Sequence, residues 1–205
     1  LINGPINKKK NLKQKFLGIT EYLDFKTKSK GNVAMLIYNK NLSVSPITTH
    51  LPLKKVHKFI NKKKIINHLK IISKFYKKKF NINPKIGITG LNPHCESNFD
   101  RSEESEIIVP AIKYLSKNKY KVTGPYPADT IFLKDNLKKF DVIIGMYHDQ
   151  VLSPIKSIFG FNAINITLGL PFIRISPDHG PNIKMFLKNK SNPNSLIEAI
   201  KFLDK

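Results

Sequence analysis

Asp141-Val142-Ile143-Ile144-Gly145-Met146, followed at once by Tyr147-His148-Asp149-Gln150, decides the fold class. An unbroken apolar run of strand length, rich in β-branched residues, fits a strand buried on both faces, and such strands belong to sheets covered by helices. The pattern recurs. Lys85-Ile86-Gly87-Ile88-Thr89 ends at the turn Gly90-Leu91-Asn92-Pro93, and Ala163 to Leu168 is another apolar run. Val33 to Tyr38 and Leu42 to Ile47 read as a hairpin across Asn39-Lys40-Asn41, with Pro46 expected to confine the second strand to a sheet edge or a strand end.

Helical periodicity fills the gaps. Leu53 to Ile60 reads as a short helix. Ile65, Ile66, Leu69, Ile72, Phe75 and Tyr76 recur at helical spacing with lysines opposite. Ser102 is expected to cap a helix with Glu103 and Glu104 in its first turn and a kink at Pro110. Ser195 to Leu203 closes as an amphipathic helix, while Asn7 to Gln14 is polar and basic and reads as a loop or exposed helix start. Strands alternating with helices give an α/β fold with a mostly parallel or mixed sheet.

Composition narrows the function classes. The chain has 205 residues, with 36 Lys and Arg against 14 Asp and Glu, a formal charge of +22. That excess suits polyanions. Yet Arg101 and Arg174 are the only arginines, and the lysine runs lack interleaved aromatic residues. The charge therefore reads as a solvated surface under compositional bias, with no nucleic acid partner. A single cysteine, Cys95, excludes an internal disulfide framework and a cysteine zinc finger. No apolar run is long enough for a membrane span, so no membrane partner and a cytoplasmic setting are expected. The opening Leu1-Ile2-Asn3-Gly4-Pro5 has no initiator methionine and reads as a strand end entering a loop, as in a fragment of a longer chain.

Reactive side chains cluster where buried strands end. His50 follows the second hairpin strand, His94 follows the Ile86 strand, and His148 follows the Val142 strand. Strand exits of α/β sheets are where such folds bind ligands. Three neutral imidazoles suit a divalent cation with open positions; each alone fits a loop or core histidine better, and only the shared strand-exit placement of the three brings the two readings level. His57 and His68 lie in lysine-rich helical stretches and are expected at the surface. His179 is ambiguous, either paired with Asp178 in a turn or in the outer part of a site. Gly124-Pro125-Tyr126-Pro127-Ala128-Asp129-Thr130 reads as a rigid loop, with Asp129 able to cap the next helix. Lys156, Asn165 and Arg174 converging on one pocket would suit a phosphorylated, carboxylate-bearing substrate. Arg174 is the most telling, because it stands in an apolar stretch of a chain that avoids arginine. There is no Gly-x-Gly-x-x-Gly and no P-loop.

Gly90-Leu91-Asn92-Pro93-His94, Pro125-Tyr126-Pro127-Ala128-Asp129-Thr130, Met146-Tyr147-His148-Asp149-Gln150 and Asn165 to Arg174 occur in the order found in the 4-hydroxythreonine-4-phosphate dehydrogenase (PdxA) family, which the whole chain resembles. The resemblance implies an α/β/α sandwich of the isocitrate and isopropylmalate dehydrogenase kind, a two-domain fold with most of the first domain missing here. Residues 1–13 would be a remnant of that domain, 14–186 the second domain, and 187–205 a helix returning to the first. It implies a homodimer with a shared active site. The activity implied is NAD-dependent oxidation and decarboxylation of 4-phosphooxy-L-threonine to 3-amino-2-oxopropyl phosphate, a step of pyridoxal phosphate (vitamin B6) biosynthesis. A paralogous dehydrogenase of another phosphorylated hydroxy acid and an inactive remnant are the alternatives.

By the same resemblance His50, His94 and His148 bind a divalent metal (Zn, Mg, Mn or Co), and Thr20, Lys156, Asn165 and Arg174 bind substrate. Asp149 orients His148 or assists proton transfer, and no residue is assigned to NAD. Four departures from the family pattern stand out. Ile19-Thr20 replaces a His-Thr pair, Cys95 to Asp100 replaces a glycine-rich stretch, Val151 replaces a glycine, and Pro181-Asn182 replaces Thr-Ala. Lost glycines are expected to restrict the backbone.

Overall fold

The computed structural model describes residues 1–4, 16–95, 101–180, 188 and 190–204. Its strands are β1 (Ala34–Tyr38), β2 (Ser43–Thr48), β3 (Ile86–Thr89), β4 (Val122–Tyr126), β5 (Val142–Tyr147), β6 (Ile164–Leu168) and β7 (Arg174–Pro177). They form one mixed sheet in the order β4-β3-β5-β2-β1-β6-β7. β4, β3, β5 and β2 run parallel, whereas β2-β1, β1-β6 and β6-β7 pair antiparallel. One edge of the sheet therefore collects the ends of β2, β3, β4, β5 and β6 together with the starts of β1 and β7.

The helices are α1 (Ile19–Lys26), α2 (Val56–Phe59), α3 (Lys62–Phe80), α4 (Val109–Lys117), α5 (Lys134–Leu137), α6 (His148–Phe159) and α7 (Asn194–Leu203). α3 starts where the Asn61 side chain accepts from the Lys64 N–H at 2.9 Å, and it stops at Asn81, which takes the left-handed conformation. Its inward stripe is Ile65, Leu69, Ile72 and Tyr76, each stabilising by roughly 1.5–3 kcal/mol on burial. This stripe shares one core with α4, α7 and one face of the sheet. Val151, Leu152 and Ile155 of α6 join Ile131 and Phe140 against the other face. The result is the expected α/β/α sandwich. Among the described residues no helix is long and apolar enough to cross a membrane.

Several local expectations are corrected. Pro46 sits inside β2, a central strand. The β1 ladder registers only Ile37 with Val44, so beyond Val44 the strand is open on that side and tolerates a missing donor. His68 is buried rather than exposed: Ser45 Oγ gives its proton to the Met35 carbonyl at 2.5 Å and so accepts from His68 Nε2 at 2.6 Å. Burial, with Lys64 nearby, pushes the His68 imidazole down to about 3. His57 is exposed, as expected.

Ser102 does cap its helix, accepting from the Ser105 N–H at 3.2 Å. The strain expected at Pro110 is taken up by a π-helical turn, Glu104–Ile108, immediately before α4. The Gly124–Thr130 loop begins as β4, and α5 starts after Leu133 without a side-chain cap, so Asp129 does not cap it. β7, α1 and α6 were not foreseen as elements. Val151 lies within α6 and packs on Gly145, where an added Cβ would stand 2.4 Å from its Cγ1. A helical position needs no glycine freedom, so this departure is absorbed by Gly145. Asn7 to Gln14, residues 96–100 and Pro181-Asn182 lie outside the described residues.

Candidate active site

A cavity of about 500 Å³ opens at the strand-exit edge where the parallel and antiparallel halves of the sheet meet. Thr20, His50, His148, Lys156, Asn165 and Arg174 all line it. They come from the start of α1, the loop after β2, both ends of the exposed part of α6, β6 and β7. Met35, Ile37 and Leu152 supply its apolar wall, and Ile19 joins it.

Arg174 is 1% exposed. Its Nε donates to Asn3 Oδ1 at 2.7 Å and one terminal nitrogen donates to Thr167 Oγ1 at 3.0 Å. Both acceptors are neutral. Burial lowers the guanidinium to about 10, which leaves it charged at neutral pH. Asn165 Oδ1 is buried nearby with no hydrogen-bond partner among the described residues. A buried cation and an orphaned polar atom facing one cavity are costly unless a ligand engages them.

Lys156 Nζ stands 2.6 Å from Asp178 Oδ2 and also donates to the Asp178 carbonyl. The Asp178 backbone is clamped in turn, its N–H donating to Ser195 Oγ at 2.8 Å. Burial pushes the Asp178 carboxyl above its ordinary range, against the lowering pull of Lys156. His179 lies exposed on the rim, with Nδ1 3.2 Å from the Gly180 carbonyl, and it is not the partner of Asp178.

The imidazoles of His50 and His148 have ring centroids 5.7 Å apart. His148 Nδ1 is 2.7 Å from Asp149 Oδ1, and Asp149 is otherwise exposed to solvent. His50 Nδ1 is 3.6 Å from Glu21 Oε1. Burial would raise the Glu21 carboxyl, but the neighbouring His50 imidazole and the hydrogen bond from Thr49 outweigh it and hold the group down to about 2.

His94 is placed differently. It is exposed, takes a left-handed backbone (φ 57°), and does not line the cavity. Its loop is nonetheless pinned. Glu104 Oε1 accepts from the N–H groups of Leu91 at 2.7 Å and Asn92 at 2.8 Å. Gln150 bridges the exits of β3 and β5, accepting from Thr89 Oγ1 and the Met146 N–H and donating to the Gly90 carbonyl. Among the described residues no group of three or more His, Cys, Asp or Glu side chains is arranged to hold a metal. Two of the three candidate ligands thus converge within this chain and the third faces outward.

Sequence reasoning passed over Glu21 and Gly18 and did not foresee the pairing of Asp178 with Lys156. Glu21 follows Thr20 in a stretch without strong helical periodicity, so no signal tied it to His50, 29 residues away.

The family model described as pyridoxal phosphate biosynthetic protein PdxA matches residues 1–203. The 4-hydroxythreonine-4-phosphate dehydrogenase of Sulfurihydrogenibium sp. is 45% identical over 204 residues, which are 98% of this chain and 62% of that protein. The Aquifex aeolicus enzyme of the same name is 38% identical over 207 residues, 100% of this chain and 64% of its own length. The crystal structure of the Klebsiella pneumoniae 4-hydroxythreonine-4-phosphate dehydrogenase superposes with a TM-score of 0.81 at 32% identity, covering 98% of this chain and 63% of that one. The chain therefore spans somewhat under two thirds of these relatives' length. Motif order, sheet topology and a match along nearly every residue agree: the chain belongs to the PdxA family of pyridoxal phosphate biosynthetic proteins.

Proposed function

We propose that this chain carries the substrate grip and part of the metal grip of an NAD-dependent dehydrogenase. The reaction would oxidise the secondary alcohol of 4-phosphooxy-L-threonine to a ketone and then release CO2 from the resulting β-keto acid. The observation that carries this reading is Arg174, a fully buried guanidinium on neutral acceptors, opening on the same cavity as His50 and His148. The names of the relatives agree with it.

The chain's own residues divide the work. Arg174 binds one anionic end of the substrate with fixed donors. Lys156, held by Asp178, offers a second cation while its position stays fixed. Asn165 presents an unused carbonyl oxygen to a donor such as the substrate's amine or hydroxyl. Met35, Ile37 and Leu152 keep water from the carbon skeleton and strengthen these charges. Asp149 orients His148 through Nδ1.

The donor chemistry fits a divalent cation: two imidazoles share one cavity, and carboxylates stand beside both Nδ1 atoms. His50 and His148 would supply two ligands. His94 of a second copy would supply the third, which accords with its outward placement and with a homodimer sharing its sites. Such a cation, when bound, stabilises negative charge on oxygen at the reacting carbon. NAD, when bound, accepts the hydride.

The test is an assay of the full-length protein with 4-phosphooxy-L-threonine, NAD and added divalent metal. NADH formation that stops with chelator is the expected result. Turnover of a different four-carbon phosphorylated hydroxy acid, with none of this one, would overturn the substrate assignment.

A further inference from the structure

We infer that Glu21 is a positioning residue for His50, fixing the imidazole with its proton on Nδ1 and its lone pair on Nε2, and that Gly18 provides the space for that pairing. The inference deepens the metal reading above and rests on it for its ligand, though not for its geometry.

Four observations converge. Glu21 Oε1 is anchored by Thr49 Oγ1 at 2.5 Å, so the residue next to His50 on the chain also holds the carboxylate. The Nδ1 of His50 lies 3.6 Å from the same oxygen, just beyond hydrogen-bond length. Among the described residues, His50 Nδ1 and Glu21 Oε2 are both buried with no hydrogen-bond partner, so a donor position and an acceptor border the space at Gly18, out of contact with water. Gly18 is packed against both: a Cβ there would stand 2.7 Å from His50 Nδ1 and 2.7 Å from Glu21 Oε2. Gly18 is extended (φ −162°), so its requirement is one of space and not of backbone conformation.

The arrangement parallels the one at His148, where Asp149 meets Nδ1 at 2.7 Å. The two differ in solvent contact, since Asp149 has 80% of its side chain exposed against 30% for Glu21. A carboxylate sheltered from water holds a tautomer more firmly, so Glu21 has the greater leverage. An imidazole whose Nδ1–H is held by a carboxylate presents a more basic and better oriented Nε2.

The experiment uses the full-length protein with labelled histidines, without metal and at a pH where the ring is neutral. Long-range proton–nitrogen correlation reads the tautomer of His50 directly. The Nδ1–H form is expected in the wild type, a mixed or Nε2–H form in Glu21→Ala and in Gly18→Ala, and partial retention in Glu21→Gln. A wild-type His50 in the Nε2–H form, or a tautomer unmoved by Glu21→Ala, overturns the proposal. Calorimetric titration with Co(II) then separates the two ideas. Glu21→Ala is expected to weaken Co(II) binding by ~10–100-fold, with His50→Ala as the ligand control. If His50→Ala weakens binding and Glu21→Ala does not, the positioning role fails alone. If His50→Ala leaves Co(II) affinity unchanged, the metal reading fails, while the tautomer measurement still decides the pairing.

Discussion

Lys156 Nζ and Asp178 Oδ2 lie 2.6 Å apart, so of the cavity's Lys156 and Arg174 the first already has an anion of its own. Arg174 has none. The two positive groups are therefore unequal: the acid of the proposed reaction would gain a full counter-charge from Arg174 but would have to share Lys156 with Asp178.

From this follows an order of affinities. Arg174→Lys in the full-length protein is expected to weaken 4-phosphooxy-L-threonine by ~10–100-fold, because charged hydrogen bonds of about 1.5–3 kcal/mol lose their fixed geometry. Calorimetric Kd values for wild type and variant check it, and equal values would remove Arg174 from the grip.

The same pair predicts an asymmetry in stability. Asp178 is buried, with 9% of its side chain exposed, while Lys156 has 35% exposed and can return to water. Lys156→Met strands a buried carboxylate and is expected to cost about 1–3 kcal/mol. Asp178→Asn leaves only a lysine that rehydrates, so it is expected to cost less than about 1 kcal/mol. Urea unfolding measures both, and a reversed order would contradict the described burial.

Acid should loosen the fold in two steps. His68 has its imidazole held down to about 3 by burial, so below its ordinary value of 6.5 the unfolded chain binds a proton that the folded chain refuses. Stability is then lost as pH falls, by about 1.4 kcal/mol per pH unit. Glu21, held at about 2 against an ordinary 4.5, is ionised in the fold and adds a second loss from pH 4.5 downward. Unfolding free energies of His68→Gln and wild type at a series of pH values are the check. Parallel slopes between pH 6.5 and 4.5 would remove His68 as the cause.

His94 gives the sharpest test of a shared centre. His94→Ala should abolish metal-dependent turnover and leave the fold unchanged, because the side chain is exposed. Equal mixing of His94→Ala and His50→Ala subunits should then restore about a quarter of wild-type activity, since random dimers carry one intact site in half the population. No recovery on mixing would place all three ligands in one subunit.

Gly169 is a steric requirement of the segment leading to Arg174. It sits at φ 84°, and a Cβ would fall 2.0 Å from the Asn32 carbonyl oxygen. Gly169→Ala is expected to destabilise by more than about 1 kcal/mol, read as a lowered Tm, and an unchanged Tm would contradict the close approach.

Much of this site was legible from residue order because strand exits are marked twice, by an apolar run and by the polar cluster that follows it. That placed His50, His94 and His148 at one edge, and the rarity of arginine singled out Arg174. Other features were hidden for physical reasons. β7 is four residues long, too short to show a period, and α6 carries Pro154, which argues against a helix. His68 sits among lysines that point outward while its own ring turns inward to Ser45, a contact across 23 residues that no local pattern encodes. Glu21 and Asp178 acquire partners only through tertiary packing.

The β1–β2 ladder, with its single registered pair, is a seam in the sheet. The imidazoles of His50 and His148 belong to the parallel half, whereas Asn165 and Arg174 belong to the antiparallel half. A molecule held at both ends has to straddle that seam, and strands are spaced at about 4.8 Å. Under the proposed function the pocket would work as a ruler: an acid too short to reach across would dock at one end only, and its reacting carbon would never arrive where it is needed.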